Sequence, residues 1–239
     1  MASSYSTNAG LELVTTGEKA GLWGDITNTN LQILEQTATG YLSVDMAGAS
    51  VTLTLTNGAT SNGKNIYLRL YGTLAGDRTL TMPATANRVW IVKDETVRGT
   101  SNRTLGVLTA SGTTQPIPPG ATVLCRSNGT QTDVTILSQG YATITDSNSP
   151  YTSVAGAQIF ANTTANPITI NLPASPTVGD EVSVLDTRGT WNSNNCTIGR
   201  NGQPINSATS DLTLNTNGQA ITLVYVDATR GWAYKTNTA

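Results

Sequence analysis

Short runs in which threonine alternates with an aliphatic residue, separated by Asn-Gly pairs, dominate this chain from Ser50 onward. In SVTLTLT, Val51, Leu53 and Leu55 fall on one side and Thr52, Thr54 and Thr56 on the other, the period of two expected of a half-buried strand. The same alternation recurs in NIYLRLY, RVWIVKD, DVTIL, ITINLP, EVSVLD, DLTLN and AITLVYV. Asn-Gly pairs stand at Asn57, Asn62, Asn128, Asn201 and Asn217, and both residue types tolerate the positive φ of a tight turn. Short strands at this spacing predict a β-sandwich or a barrel. Composition points the same way. Only 12% of residues are charged, while 42 are threonine and 21 asparagine, so hydroxyls and amides rather than Glu and Lys pairs must solvate the surface.

The strands also repeat as a set. RTLTMPATANRVWIVKDET in the first half resembles PITINLPASPTVGDEVSVLDT in the second, with Pro83 matched to Pro173 and Asp94 to Asp186. Further on, Gly106 matches Gly199, and TVLCRSNGTQTDVTIL loosely matches ITLVYVDATRGWAYK. A period near 90 residues reads as a duplicated domain rather than as a solenoid, whose repeat runs roughly 20 to 50 residues. The expected fold class is therefore all-β, with two tandem, duplicated β-sandwich or barrel-like domains behind a short N-terminal segment that carries one α-helix. The expected boundaries are 1–40 for that segment, 41–139 for the first β-domain and 140–239 for the second. The break between the β-domains falls in QGYATITDSNSP, where turn formers cluster.

The helix is expected over about 25–39. Asp25 serves as its N-cap and Gly40 as its stop. Ile26, Asn30, Ile33 and Thr37 form one stripe and Leu31, Leu34 and Ala38 the adjacent one, so the helix needs a partner surface on its own domain or on a neighbouring subunit.

Candidate chemistry is sparse. The chain has no histidine, which removes Ser-His-Asp and Cys-His catalysis and histidine metal sites. Asp94 with Glu95 and Asp180 with Glu181 are the nearest carboxylate pairs, but adjacent strand residues point to opposite faces and cannot flank one glycosidic bond. Glycine-rich stretches such as NGATSNGK lack phosphate-loop spacing. Cys125 and Cys196 lack metal-ligand spacing and read as free thiols. No enzyme activity, cofactor or metal is expected. A net charge of −2 makes nucleic acid an unlikely partner, and no run approaches the roughly 18 to 20 apolar residues of a membrane span. Among the four tryptophans, Trp23 and Trp232 read as core or interface residues. Trp90, out of phase with Val89 and Ile91, and Trp191, in the loop GTWNSNN, are the candidate platforms for stacking a glycan.

LELVTTGEKAGLWGDITNTNLQILEQTATGY resembles the N-terminal module of bacteriophage tail-fibre and related virion appendage proteins. The matching residues are Gly17, Ala20, Gly21, Trp23, Gly24, Asn28, Asn30, Leu31, Leu34 and Gly40. The β-rich remainder is similar to domains of the same family. That resemblance implies a virion structural protein that forms a homo-oligomer, a trimer in most fibres, made in the host cytoplasm without a signal peptide. Gly21, Trp23, Gly24, Asn28, Asn30, Leu31 and Leu34 would then attach it to the particle or to a neighbouring chain. Its partners would be itself, other tail or capsid proteins and host surface polysaccharide. The chain is short for a receptor-binding fibre and has no coiled-coil heptads, which keeps a short fibre, a capsid decoration or head fibre, and a host-glycan-binding module open as alternatives.

Overall fold

The computed structural model describes residues 3–84, 87–99 and 103–238. The chain divides into two compact units. The first comprises Met1–Val97, Leu105–Ile117 and Thr122–Leu137, and the second Arg98–Thr104, Pro118–Ala121 and Ser138–Ala239.

In the first unit, β1 (Ser4–Tyr5) and β2 (Glu12–Leu13) form a small antiparallel pair ahead of α1 (Trp23–Thr39). Three two-strand coils follow: β3 (Tyr41–Asp45) with β4 (Val51–Thr52), β5 (Tyr67–Thr73) with β6 (Arg78–Met82), and β7 (Asn87–Val97) with β8 (Leu105–Thr109). The first strands of the coils stack in parallel as β3, β5 and β7, and the second strands as β4, β6 and β8. Antiparallel strands then finish both sheets: β9 (Gln115–Pro116) joins β8, and β10 (Thr122–Asn128) joins β7 and carries β11 (Thr132–Ser138) on its far side.

The second unit repeats this order. Its coils are β12 (Tyr141–Ile144) with β13 (Tyr151–Thr152), β14 (Ala157–Ala161) with β15 (Ile168–Asn171), and β16 (Glu181–Asp186) with β17 (Cys196–Gly199). The antiparallel strands are β18 (Leu212–Leu214) on β17, and β19 (Ala220–Asp227) with β20 (Gly231–Thr238) on β16. Each unit is thus a short β-solenoid of three coils, and the expectation of sandwiches or barrels is wrong. Alternation misled because parallel strands usually lie buried on both faces and read as continuous apolar runs. In a solenoid one face of every parallel strand meets solvent, and the strand alternates like an antiparallel one.

The core is built by stacking equivalent residues of successive coils. Leu68 and Val92 lie in register with Leu42 before them and Val123 after them, and Leu80 with Val107 above Val51. In the second unit Ile159, Val184 and Ile221 follow Ala142, while Ile170 and Ile198 follow Tyr151. Apart from the half-buried Leu42, Val51 and Ala142 all are buried, the larger side chains each contributing on the order of 1.5–3 kcal/mol. The ladders also test the internal repeat. Val44, Leu70 and Asp94 occupy one position in successive coils of the first unit, and Ile144, Ala161 and Asp186 the same position in the second, so Asp94 and Asp186 are equivalent. Leu80 pairs with Val107 and Ile170 with Ile198, which makes Thr197 the counterpart of Gly106 and shifts the Gly106–Gly199 match by two residues.

α1 begins two residues earlier than expected. Leu22 occupies the N-cap position without a side-chain bond, and Asp25 sits in the first turn, where its charge faces the positive end of the helix dipole. Gly40 ends the helix, its N–H donating to the Gln36 carbonyl at 2.9 Å; a Cβ there would strike that same oxygen. Between Gln139 and Pro150 the chain forms β12 and a 3₁₀ turn over Asp146–Asn148, so these turn-rich residues open the second unit's first coil.

Candidate functional site

The N-terminal module fixes one face of α1 and leaves another open. Ile33 is fully buried, the Asn30 amide both accepts from Glu12 N–H and donates to Glu12 C=O at 2.9 Å, and Gln36 accepts from Ser61 N–H. Asn30 is therefore a structural clamp that ties β2 to the helix. At 3.6 residues per turn, Trp23, Thr27, Leu31, Leu34 and Ala38 fall within an arc of roughly 80°. Trp23, Leu31 and Leu34 are 66%, 57% and 46% exposed, and Leu13 and Leu22 are exposed as well. Gly21 takes φ +81 in the turn before the helix, and Gly24 and Asn28 are exposed on it. The residues matched to the appendage module thus divide into a clamp, Asn30, and an uncovered apolar stripe.

Trp90 and Trp191 are not platforms: both are fully buried. Trp90 points into the first unit's core and donates its indole N–H to the Gly63 carbonyl at 2.9 Å. Trp191 packs in the second unit's core with Cys196, Ile198 and Trp232. Being out of phase with Val89 and Ile91 placed Trp90 on the inner face, and the loop holding Trp191, between β16 and β17, turns its indole into the core.

Besides Trp23, exposed aromatics lie on the outer faces of the first-strand sheets, at Tyr41 and Tyr141. Tyr41 stacks on Tyr67 with ring centroids 5.7 Å apart, and Tyr141 stacks on Phe160 at 4.5 Å. Tyr41 and Tyr141 are equivalent in the two units, each three residues back from Val44 and Ile144 along β3 and β12. In the first unit Arg69 covers the Tyr71 ring and pairs with Glu95 at 2.6 Å. In the second, a groove of about 130 Å³ runs past Tyr141, Phe160 and Leu185, with Gln158, Ser183 and Thr222 as its polar lining. The repeated Gly-Tyr before β3 and β12 was the available sequence signal for these pairs.

The carboxylates are dispersed. Asp94 is buried and accepts from Thr96, while Glu95 points outward to Arg69. Asp180 accepts from Thr177 N–H, and Glu181 pairs with Lys235 at 2.6 Å. Asp186 closes the loop after β16: its Oδ1 accepts from Arg188 and Gly189 N–H at 3.1 and 2.9 Å, and its Oδ2 from Gly218 N–H at 3.0 Å and more weakly from Trp191 N–H. Among the described residues, no cluster of three His, Cys, Asp or Glu is placed to hold a metal. Cys125 and Cys196 are free thiols and fully buried. Burial pushes each up to about 12, with Asp186 adding repulsion at Cys196.

Two buried cations escaped sequence reasoning. Lys64 is fully buried and donates to the Thr56 and Ala59 carbonyls at 2.7 and 2.6 Å. Arg88, 8% exposed, donates to the Lys64 carbonyl at 2.9 Å and lies over the Trp90 ring at 5.7 Å. Desolvation lowers both groups below their ordinary values, Arg88 adding repulsion at Lys64. Alternation put Arg88 on the inner face of β7, but a lone Lys or Arg in a strand normally reads as solvated.

No family model and no curated protein matches this chain. A solved structure titled "Structure of a chaperone-substrate complex" is similar at 14% identity and a TM-score of 0.35, over 82% of this chain. The chain spans about a third, 32%, of that structure's length.

Proposed function

We propose that this chain is a non-enzymatic structural protein of a bacteriophage virion, a tail fibre or short-fibre component that assembles into a homo-oligomer through α1. The observation that carries this reading is the stripe of Trp23, Leu31 and Leu34, which the first unit leaves uncovered while the adjacent face of the same helix is pinned by Ile33, Asn30 and Gln36. Contiguous exposed apolar surface of this kind marks an interaction site. Each unit is a short solenoid whose strands alternate threonine with aliphatic residues, a build suited to a structural role. The resemblance of the Gly17–Gly40 segment supplies the biological setting. A capsid decoration or head fibre shares this chemistry and differs in location, so imaging virions that carry a labelled copy of the chain tests the reading. Label at the tail supports a fibre, label over the capsid replaces it with a decoration, and unlabelled particles refute a virion role.

A second reading is favoured by the groove beside Tyr141 and Phe160. An exposed aromatic stack flanked by the Ser183 and Thr222 hydroxyls and the Gln158 amide is the chemistry that holds a neutral sugar. Host envelope polysaccharide would bind the intact protein and be lost on Tyr141→Ala; absence of binding by the intact protein rejects it.

A further inference from the structure

The first unit contains a pocket of about 280 Å³ between the Thr37 side of α1, the N-terminal residues near Asn8 and the start of β7, lined also by Ile66, Asn87 and Arg88. Its charge balance is one-sided. Arg88 is more than nine-tenths buried and its Nε–H has no hydrogen-bond partner. Lys64, fully buried beside it, spends its ammonium on the Thr56 and Ala59 carbonyls, and among the described residues neither cation forms an ion pair. Among the described residues, no carboxylate lines the pocket. A buried guanidinium without an anionic partner is costly, and one that lines a cavity gains most from a ligand that supplies the missing charge.

The neutral lining fits the same ligand. Asn8 turns its side-chain oxygen to the Asn87 N–H at 3.2 Å, which leaves its NH₂ as a donor, and Asn87 brings a second side-chain amide. Thr37 gives its hydroxyl proton to the Ile33 carbonyl and contributes shape only. The pocket therefore offers donors and positive charge, with a planar fork suited to two oxygens.

We propose that this pocket is an oxyanion-binding site, in which the Arg88 guanidinium and the Asn8 and Asn87 amides hold a phosphate or carboxylate group. Such a group can arrive as a free inorganic anion or as the acid group of an anionic saccharide, and the two share one recognition chemistry. The site is independent of the assembly reading above, since it lies on the inner side of α1 and not on its exposed stripe.

Titration of the full-length protein with inorganic phosphate, and separately with glucuronate, at constant ionic strength against chloride tests the proposal through tryptophan fluorescence and the melting midpoint. The expected result is a saturable fluorescence change, because Arg88 lies over Trp90, and a midpoint raised by roughly 3–6 °C at ten times the dissociation constant. Saturation separates binding from the general stabilisation that phosphate gives by exclusion from protein surfaces. Response to phosphate assigns a free anion and response to glucuronate alone an acidic saccharide; either supports the site. Arg88→Gln should abolish the response, and Asn8→Ala, at the rim, should weaken it several-fold in a chain whose core is unaltered. Absence of a saturable response to both anions in the intact protein, or a response unchanged by both substitutions, overturns the proposal.

Discussion

Replacing Asp186 by alanine removes the acceptor on which the end of the third coil of the second unit depends. In the intact protein three backbone N–H groups, of Arg188, Gly189 and Gly218, reach its carboxylate within 3.1 Å, and Trp191 N–H reaches it at 3.4 Å. A net hydrogen bond to a charged group is worth about 1.5–3 kcal/mol, and the lower end applies because Arg188, Gly189 and Gly218 lie at the surface, where water offers a substitute. Three such bonds at the lower end give a loss of about 4–5 kcal/mol. Asp186→Asn keeps the Oδ1 side and turns an NH₂ toward Gly218 N–H, so its loss should be about half. Urea unfolding followed by circular dichroism and by tryptophan emission measures both. Losses below about 1 kcal/mol for Asp186→Ala, or equal losses for the two variants, would refute the reasoning that this carboxylate organises the loop around Trp191.

Other expectations follow from the same geometry. The buried thiols, at about 12 against an ordinary 9.0, remain protonated in the folded state while the unfolded thiols ionise, so the stability they confer is complete below pH 9 and lost between 9 and 12. Each unit should lose about 1.4 kcal/mol from its thiol on going from pH 8 to pH 10, and Cys125→Ala and Cys196→Ala should each flatten that slope; an unchanged slope contradicts it. Lys64→Ala releases the Thr56 and Ala59 carbonyls and should cost about 2–3 kcal/mol, with faster amide exchange over residues 54–61 as the specific readout. Asn30→Ala should cost about 1–2 kcal/mol and expose the β2 backbone to exchange, leaving the second unit's melting unaffected.

What the sequence disclosed, and what it hid, both follow from how a solenoid treats its strands. The alternation over residues 51–56 and in RVWIV reports the inward and outward faces correctly, so facing was readable, but only Val51–Thr52 of the first run is a strand and residues 53–56 continue as irregular chain. Strand pairing was not readable. Asn128-Gly129 closes the β10–β11 hairpin and Asn201-Gly202 lies in the longer connection between the paired strands β17 and β18, whereas Asn217-Gly218 turns the chain from β18 into the other sheet at β19, and the dipeptide reads the same in every setting. The coil period also drifts: Val44, Leu70 and Asp94 are spaced 26 and 24 residues apart, but Ile144, Ala161 and Asp186 are spaced 17 and 25, so no fixed short repeat surfaces and only the whole three-coil set repeats visibly. At the candidate site, the period of 3.6 placed Leu31 and Leu34 on a stripe apart from Ile33, which is where they stand. Trp90 and Trp191 could not be assigned in the same way: alternation set Trp90 apart from Val89 and Ile91 but did not say which face the neighbouring strands close over. Arg88 falls on the inner face of β7 by alternation, but a lone cation in a strand normally reads as solvated.

The proposal that α1 carries assembly meets its most direct test in sedimentation equilibrium of the full-length protein at micromolar concentration. The account predicts a mass that is a multiple of 24.9 kDa, three copies in a fibre-type assembly, and reduction to one copy on Leu31→Ser together with Trp23→Ser. Both substituted residues are solvent-exposed within the single chain, so the variant should fold and melt as before. A wild-type protein that sediments at 24.9 kDa, or an oligomer that survives both substitutions, would contradict it.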